Sequence, residues 1–237
     1  MNRTLKHLFA FALLAAGCLV AGNVNADLIN VTSSTDAVRI MDSAIPFDNQ
    51  DSSTTAASAA LDVIHGTGDF KSGGYRTGLN RNSSTTSIDL FWRTEAPFAA
   101  SVNPDHLGQG GSEVFFTAME NAMYTAFGDS QFGGGNVNHL MAFQLEDLTT
   151  GQILAQGVDG SVEGNPISTS SGLTGSIIAG HDYKWTYEFE TSKRDDFAMV
   201  RYRATGNGGL SFTAIPEPTT AGILGGLMGL TVLRRRR

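Results

Sequence analysis

The sequence predicts a mostly β protein in which an antiparallel β-sandwich, of jelly-roll type, is flanked by an N-terminal signal helix and a C-terminal transmembrane helix. Three observations support this prediction. The apolar residues of 27–214 occur in short stretches separated by Gly, Ser, Thr and Asn, which is typical of many short strands. Aromatic and polar residues alternate from Tyr183 to Glu190, so one side of that strand is apolar. Longer apolar runs lie near the two ends of the chain, at 8–21 and 221–233.

Residues 1–26 have the three regions of a secretory signal peptide. Arg3 and Lys6 precede the apolar run, and small residues before Asp27 provide a cleavage site after Ala26. The expected partners of this segment are the Sec-type export machinery and signal peptidase.

A lipoprotein signal is a second interpretation of the same segment. Leu14-Ala15-Ala16-Gly17-Cys18 resembles a lipobox, which would leave Cys18 as a lipidated N-terminus. Ala15 stands where a lipobox usually has leucine, and a full cleavage site follows downstream. Whether Cys18 is lipidated therefore stays open.

The clearest strands of the body lie near its C-terminal end. Tyr183–Glu190 leads into the polar turn Thr191–Asp196, and Phe197–Ala204 then returns. Pairing Glu190 with Phe197 would make these two strands a hairpin, with aromatic side chains on one face. We expect this hairpin to be a core element.

Shorter alternating or β-branched stretches predict further strands. They are Ala37–Met41, Ser87–Arg93, His139–Glu146, Gln152–Gln156, Ser176–Ile178 and Leu210–Ala214. The third and fourth of these form a hairpin across Asp147–Gly151. Two other segments have helical spacing: Ser58–His65, and Ser112–Phe127 behind a serine cap. Within the second, Val114–Thr117 and Tyr124–Phe127 suit strands as well.

The composition of 27–214 limits the classes of partner. Of the 23 acidic and 16 basic residues in the chain, 22 and 10 lie in this body, which gives it a formal charge of −12. Nucleic acids and anionic membranes need a basic surface, so neither is an expected partner. The body contains no cysteine. A chain of this length buries enough apolar surface to fold as one domain without disulfides.

Motifs for catalysis or metal binding are absent from the sequence of the body. Its histidines lack the His-x-His or His-Glu-x-x-His spacing of zinc sites, and there is no Gly-x-Ser-x-Gly elbow or phosphate-binding glycine loop. The four histidines are His65, His106, His139 and His181. We therefore expect no enzymatic activity and no cofactor.

Three features keep other functions open. Glu188 and Glu190 share a strand face, and glycoside hydrolysis uses a pair of carboxylates. Trp92 or Trp185 would stack on sugar rings if they lie on an outer sheet face, whereas burial would make them core residues. Asp-rich loops, such as the one at 159–161 or the pair Asp195-Asp196, offer oxygens to Ca²⁺, although the sequence assigns no ligand set.

The last 23 residues, 215–237, have three parts in a fixed order. Pro216, Glu217 and Pro218 come first, and a glycine-rich apolar run follows at 221–233. As a helix this run spans roughly 20 Å, less than the ~30 Å hydrocarbon core, so it is a weak anchor. The chain then closes with cationic side chains that resist translocation and stop it in the membrane. These are Arg234, Arg235, Arg236 and Arg237.

Together these parts resemble the PEP-CTERM sorting signal of Gram-negative bacteria. In that family an integral-membrane cysteine protease, exosortase, is thought to recognise the signal and remove the helix as the protein leaves the inner membrane. The resemblance implies that Pro216, Glu217 and Pro218 are the recognition residues. The stretch Gly180-His181-Asp182-Tyr183 is also similar to one near the end of many proteins with this tag. An ordinary tail anchor behind a proline-rich stalk is the alternative interpretation.

The expected function is that of an exported, non-enzymatic cell-surface or extracellular-matrix protein associated with exopolysaccharide. Its C-terminal helix anchors it transiently in the inner membrane before it reaches the surface or the medium. The alternatives are a secreted carbohydrate-binding module and a secreted hydrolase. Whether the Ser- and Thr-rich loops accept sugars stays open.

Overall fold

Thirteen β-strands make up most of the described part of the chain, which in this computed structural model comprises residues 27–42, 47–65, 75–96, 107–133, 137–162, 164–193 and 202–215. The strands are β1 (Ile29–Asp42), β2 (Phe47–Ser53), β3 (Ser58–His65), β4 (Tyr75–Ser83), β5 (Ser87–Ala96), β6 (Leu107–Ala118), β7 (Ala122–Gly133), β8 (Val137–Asp147), β9 (Gln152–Val162), β10 (Asn165–Ser171), β11 (Thr174–Ile177), β12 (Asp182–Lys193) and β13 (Tyr202–Ala214). No helix occurs in these residues. The prediction of a mostly β body is confirmed.

The strands form two antiparallel sheets. The seven-stranded sheet has the order β10-β9-β8-β12-β6-β1-β2, and the six-stranded sheet has the order β11-β7-β13-β5-β4-β3. Neighbouring strands in both sheets run antiparallel. Residues Asp27–Ala214 pack as one compact unit, in which the sheets lie face to face as a β-sandwich.

Strict alternation of burial explains why these segments are strands. In β8, every second residue from Val137 to Asp147 is buried. In β12, every second residue from Tyr183 to Thr191 is buried, as the aromatic alternation of the sequence predicts. A period of two places all of these side chains on the inner face of the seven-stranded sheet.

Aromatic side chains join the two sheets. Trp92 of β5 stacks on Phe189 of β12, with ring centroids 4.6 Å apart and planes 4° apart. The indole Nε1–H of Trp92 donates to the hydroxyl of Tyr187 at 2.8 Å. Phe116 of β6 contacts Phe212 of β13 edge to face at 5.5 Å. Stacked and edge-to-face pairs of this kind add to the free energy gained by burying the rings.

Small residues on β13 make room for these rings. Gly208 faces inward, and a Cβ placed on it would lie 2.1 Å from Cε2 of Tyr187 on the opposite sheet. Gly206 is similarly close to the indole of Trp92. The glycine-rich stretch at 206–209 is thus an interior part of a strand and not a loop.

The predicted hairpin between Tyr183–Glu190 and Phe197–Ala204 is wrong. β12 pairs on one side with β6 and on the other with β8, so Glu190 lies opposite Gln109 and Leu140. The returning strand, β13, belongs to the other sheet, where it lies between β7 and β5. Of the predicted turn, residues 191–193 continue β12, and the rest of it lies outside the described residues, as do residues 197–201 of the predicted returning strand.

Both predicted helical segments are strands. In β3, Ala59, Leu61 and Val63 are buried while their neighbours are exposed, so the period is two. The segment 112–127 is divided between β6 and β7. Phe116, Met119, Met123 and Phe127 gave the helical spacing, but they do not share a face. Phe116 is buried on the inner face of β6, whereas the other three are exposed in the turn or on the outer strand face. The alternative strand assignment for 114–117 and 124–127 is confirmed.

The other predicted strands agree with the structure. The segments predicted at 37–41, 87–93, 139–146, 152–156 and 210–214 lie within β1, β5, β8, β9 and β13, and Ser176–Ile178 overlaps β11. The hairpin across 147–151 is confirmed, because β8 pairs with β9.

The first and last strands of the sandwich, β1 and β13, begin and end near the same turn. Ile29 at the start of β1 pairs with Ala118, and Ala214 at the end of β13 pairs with Ala122. The turn between Ala118 and Ala122 connects β6 to β7. The helices predicted for 1–26 and 221–233 lie outside the described residues, and within the described ones no helix is long and apolar enough to cross a membrane.

Candidate functional site

The predicted processing residues fall at or beyond the ends of the described chain. Asp27, the predicted start of the mature protein, is exposed. Ala26, Pro216, Glu217, Pro218 and the four arginines Arg234, Arg235, Arg236 and Arg237 lie outside the described residues. The sorting signal therefore stays a prediction from the sequence.

The two tryptophans belong to the core. Trp92 and Trp185 are both 0% exposed, on facing strands β5 and β12. Trp92 is held by Phe189 and Tyr187, and Trp185 packs against Phe143 with ring centroids 5.2 Å apart. Neither side chain is available to a sugar, so a carbohydrate site built on the tryptophans is wrong.

Two phenylalanines are exposed on the outer face of the six-stranded sheet. Phe91 of β5 is 37% exposed and Phe127 of β7 is 42% exposed. In register, Phe91 lies opposite Asn207 of β13, and Phe127 lies opposite Gly209 of the same strand. The two rings therefore stand on either side of β13, roughly 12 Å apart by strand spacing.

Polar residues surround these rings and complete the Phe91–Phe127 face, which we define by Phe91, Phe127, Asp89, Asp129, Asn80 and Asn207. Asp89 lies across β13 from Phe127, and Asp129 lies across Asn207 from Phe91. Asn80 of β4 is the neighbour of Phe91 on its other side. A groove with a volume of about 780 Å³ runs over this face. Sequence reasoning missed it, although the alternation in 87–93 places Phe91 opposite in direction to Trp92.

Carboxylates line a groove on the outer face of the seven-stranded sheet. Glu188 and Glu190 of β12 share this face as predicted, and Glu113 of β6 joins them, because its strand neighbour is Thr186. The groove has a volume of about 660 Å³. A glycoside hydrolase needs one carboxyl that keeps its proton near neutral pH, which burial usually provides. All three glutamates are exposed to solvent, as is typical of ordinary surface residues.

A buried ion pair links the two sheets. Arg81 of β4 and Asp36 of β1 have fully buried side chains, and Arg81 Nε lies 2.8 Å from Asp36 Oδ1. The guanidinium also donates to Ser34 Oγ at 2.6 Å and to Ser83 Oγ at 2.6 Å. Ser112 Oγ donates to Asp36 Oδ1 at 2.7 Å.

The same guanidinium also orders a connection. It donates to the backbone carbonyls of Thr55 and Ala56, which lie between β2 and β3. Every nitrogen of the Arg81 guanidinium thus has a partner, which is what a buried charge requires. This network stabilises the fold. The sequence signal for it was the alternation in β4, which places Arg81 on the same inward face as Leu79.

The residues Gly180-His181-Asp182-Tyr183 form a structural corner. His181 Nδ1 lies 2.9 Å from Asp147 Oδ2, and Asp147 Oδ1 accepts from the N–H groups of Thr149 and Thr150. Gly180 has φ +81°, in the left-handed region that favours glycine. This motif therefore connects the β8–β9 turn to the start of β12.

Hydrogen bonding sets the pKa of Asp147. Burial alone would raise it, but the hydrogen bonds from His181 and the turn N–H groups outweigh burial and lower the pKa. The pair stabilises a corner of the fold and does not face either groove.

His139 is buried on the inner face of β8. It stacks on Phe132 with ring centroids 5.3 Å apart, and its Nδ1 has no hydrogen-bond partner. Burial lowers the pKa of His139, although the carboxylate of Asp159 acts in the opposite direction. Asp159 itself accepts from the backbone N–H and the hydroxyl of Ser130, at 2.7 and 2.8 Å, which ties β9 to β7.

No group of three or more His, Cys, Asp or Glu side chains that would hold a metal occurs in the described ranges. Asp159, from the loop predicted to offer calcium ligands, lies in β9 and is engaged by Ser130. Asp195 and Asp196 lie outside the described residues, as does His106.

Comparison with known proteins adds little to this description. The sequence matches no protein-family model, and it matches no curated protein. Among solved structures it is similar to a chain in the structure of the infectious bursal disease virus Gx strain, at 9% identity and a TM-score of 0.22. The match covers 86% of this chain and 55% of that chain, so this chain spans about half the length of the viral one. A likeness at this level carries no functional argument.

Proposed function

We propose that the protein is an exported, non-enzymatic component of the cell surface or extracellular matrix, associated with exopolysaccharide. It is made as a precursor with a signal peptide at 1–26, exported by Sec-type machinery and cleaved by signal peptidase after Ala26. Exosortase then recognises Pro216, Glu217 and Pro218 at the inner membrane, where Arg234, Arg235, Arg236 and Arg237 hold the end of the transient helix.

One structural observation supports this proposal. The body begins and ends at the same end of the sandwich, where Ile29 pairs with Ala118 and Ala214 pairs with Ala122. A precursor with two hydrophobic segments in one membrane needs its folded body to be joined to both from the same end. The arrangement of β1 and β13 satisfies that requirement. Jelly-roll connectivity and a helix at each end of the chain remain part of the proposal.

Two alternatives differ in their support. A secreted carbohydrate-binding module is favoured by a specific observation, the exposed rings of Phe91 and Phe127. A secreted hydrolase has only the exposed glutamates of the other face. A bound Ca²⁺ is not part of the proposal.

The test is the intact mass of the protein recovered from the medium and the cell surface of two hosts, one with an exosortase and one without. A chain starting at Asp27 and ending near Pro216 to Pro218, found only in the host with the protease, supports sorting. Replacing Pro216 and Pro218 by alanine should block the second cleavage, whereas Thr219→Ala serves as the adjacent control. Recovery with Arg234 to Arg237 attached in both hosts would make the tail a permanent anchor.

A further inference from the structure

The outer face of the six-stranded sheet presents aromatic side chains where solvent-exposed rings are unusual. Eleven large apolar side chains in the described ranges are exposed, and Phe91 and Phe127 are the two aromatic ones among them. Three other rings of that sheet, Trp92, Tyr124 and Phe212, are buried and point inward. Exposing a flat apolar ring costs hydration free energy, so two such rings on one polar face suggest a ligand.

The backbone between the rings leaves an open trough. Gly209 lies between Phe127 and Asp89 in register, and it is buried because the Phe127 ring takes the space that a side chain would fill. Two atoms of the Phe127 ring lie 3.2 Å from where a Cβ on Gly209 would be, so the ring leans over this glycine. The trough therefore has Phe127 at one margin and Phe91 at the other, with β13 as its floor.

Hydrogen-bonding groups with spare capacity border the trough. The side-chain amides of Asn80 and Asn207 make no hydrogen bond to another part of the described chain. Asp129 accepts one hydrogen bond, from the Asn207 N–H at 3.3 Å, and Asp89 accepts one from Ser87 Oγ at 2.9 Å. A carboxylate accepts about four such bonds and a primary amide offers both donors and acceptors. These groups together suit a ligand with many hydroxyls.

The charge of this face indicates which polyhydroxylated ligand it takes. Asp89 and Asp129 stand in the groove itself, and the body around them carries a formal charge of −12. Uronic-acid or sulfated polymers would be repelled by these carboxylates. A neutral sugar keeps its hydroxyls free to donate to Asp89 and Asp129.

We infer that the Phe91–Phe127 face binds a neutral polysaccharide, whose sugar rings stack on Phe91 and Phe127 while their hydroxyls bind Asp89, Asp129, Asn80 and Asn207. The C–H edges of a pyranose carry slight positive charge and meet the negative face of a phenyl ring. An open groove accepts the interior of a long chain as readily as its end. The inference rests on the proposed function in one respect, since an exported protein is the one that meets such polymers.

The experiment is affinity electrophoresis of the full-length chain, solubilised in a detergent that has no sugar headgroup. The gels contain a soluble neutral β-glucan, a neutral galactomannan or the anionic polymer alginate. We expect retardation by at least one of the two neutral polymers and none by alginate. Phe91→Ala with Phe127→Ala should weaken the apparent affinity at least tenfold, because aromatic side chains that a ligand covers on binding contribute much of the binding free energy.

Two matched variants separate stacking from general effects. Ile64→Ala removes an apolar side chain that is 42% exposed on the same sheet face, and it should bind as the unaltered chain does. Phe91→Leu with Phe127→Leu keeps apolar area without aromatic rings, and it should lose affinity nearly as the alanine pair does. Circular dichroism of each variant reports whether the sandwich is intact.

Three outcomes would overturn the inference: no retardation by either neutral polymer, retardation by alginate alone, or full binding by the alanine pair. All variants carry the same tail, so these outcomes leave the sorting proposal untouched. Conversely, normal polysaccharide binding by a chain whose tail is never cleaved would remove the sorting proposal and keep this one.

Discussion

Arg81 places a charged guanidinium between the two sheets, where its side chain has no access to water. Its partners are Asp36, Ser34, Ser83 and two backbone carbonyls. Burying two charges costs more than an exposed pair gains, and the hydrogen bonds around them offset that cost. Removing one partner would leave the other charged group stranded in the core.

Arg81→Met should therefore lower the free energy of unfolding by about 3–5 kcal/mol, measured by urea denaturation. Arg76→Met is the control, since Arg76 makes a half-exposed pair with Asp62 and should cost less than about 1 kcal/mol. Replacing Asp36 and Arg81 together by Leu and Met should cost less than Arg81→Met alone. Equal decreases in the free energy of unfolding for Arg81→Met and Arg76→Met would show that the buried network stabilises the fold no more than the exposed pair does.

His139 and Asp147 should give the sandwich a pH dependence with two separate windows. Both pKa values are lowered in the folded chain, so each group contributes stability above its unfolded pKa that is lost as pH falls through the folded pKa. The unfolded values are about 6.5 for histidine and about 3.9 for aspartate. The free energy of unfolding should thus fall first below about pH 6.5, because of His139, and again below about pH 4.

The measurement is the urea midpoint between pH 7.5 and pH 3. His139→Leu should flatten the pH dependence of stability in the upper window, which His139 governs, and leave the lower window unchanged. Asp147→Asn should change the pH dependence of stability in the lower window. An unchanged slope near pH 6 in His139→Leu would mean that this histidine does not govern the acid response.

At the scale of elements, β13 shows why sequence reasoning placed some strands and missed others. The sequence predicted two separate strands here, Phe197–Ala204 and Leu210–Ala214, whereas one strand runs from Tyr202 to Ala214 through the glycines between them. Two rings require glycine at these positions: Tyr187 of the opposite sheet lies above Gly208, and Trp92 of the adjacent strand β5 lies beside Gly206. A local pattern contains no information about these rings, because Trp92 is 114 positions from Gly206 along the chain and Tyr187 belongs to the other sheet.

Gly208→Val should therefore force the two sheets apart and lower the free energy of unfolding by about 3 kcal/mol, at the upper end of overpacking costs. Ser211→Val on the exposed side of the same strand is the control and should change it by no more than about 0.5 kcal/mol. Thermal unfolding of the two variants measures the difference. Similar unfolding temperatures for both would show that the Tyr187 ring moves aside without cost.

The same distinction explains the incorrect hairpin. The alternation in Tyr183–Phe189 correctly gave a strand with an aromatic inner face, because that signal is local. Its partners are distant along the chain. Residues of β6 are 65 or more positions away, as Thr117 is from Asp182, and residues of β8 are about 36 or more positions away, as Asp147 is from Tyr183. Nearness in sequence favoured β13 instead. The Phe91–Phe127 face was missed for a related reason, since four strands from different parts of the chain assemble it.

At the scale of the whole molecule, both ends of the body lie at the β6–β7 turn, so the precursor proposed above would have a single attachment side. Ile29 and Ala214 pair with residues only four positions apart, Ala118 and Ala122. If the leader and the tail are held in the membrane as proposed, we expect a body attached at that side to fold before either is removed. We therefore predict that folding and processing are independent events.

Ala26→Leu should block leader cleavage, because signal peptidase requires a small residue at that position. In a host with exosortase we expect the variant to lose its tail but stay in the membrane through residues 8–21, with a body as resistant to trypsin as that of the released protein. Membrane fractionation with intact mass measures both features. Cys18→Ala is the control, and it should be exported and released as the unaltered chain is.

Release of Ala26→Leu, together with membrane retention that depends on Cys18, would instead identify the leader as a lipoprotein signal. A trypsin-sensitive body in the retained variant would show that the attachment side does not let the sandwich fold while both segments are held.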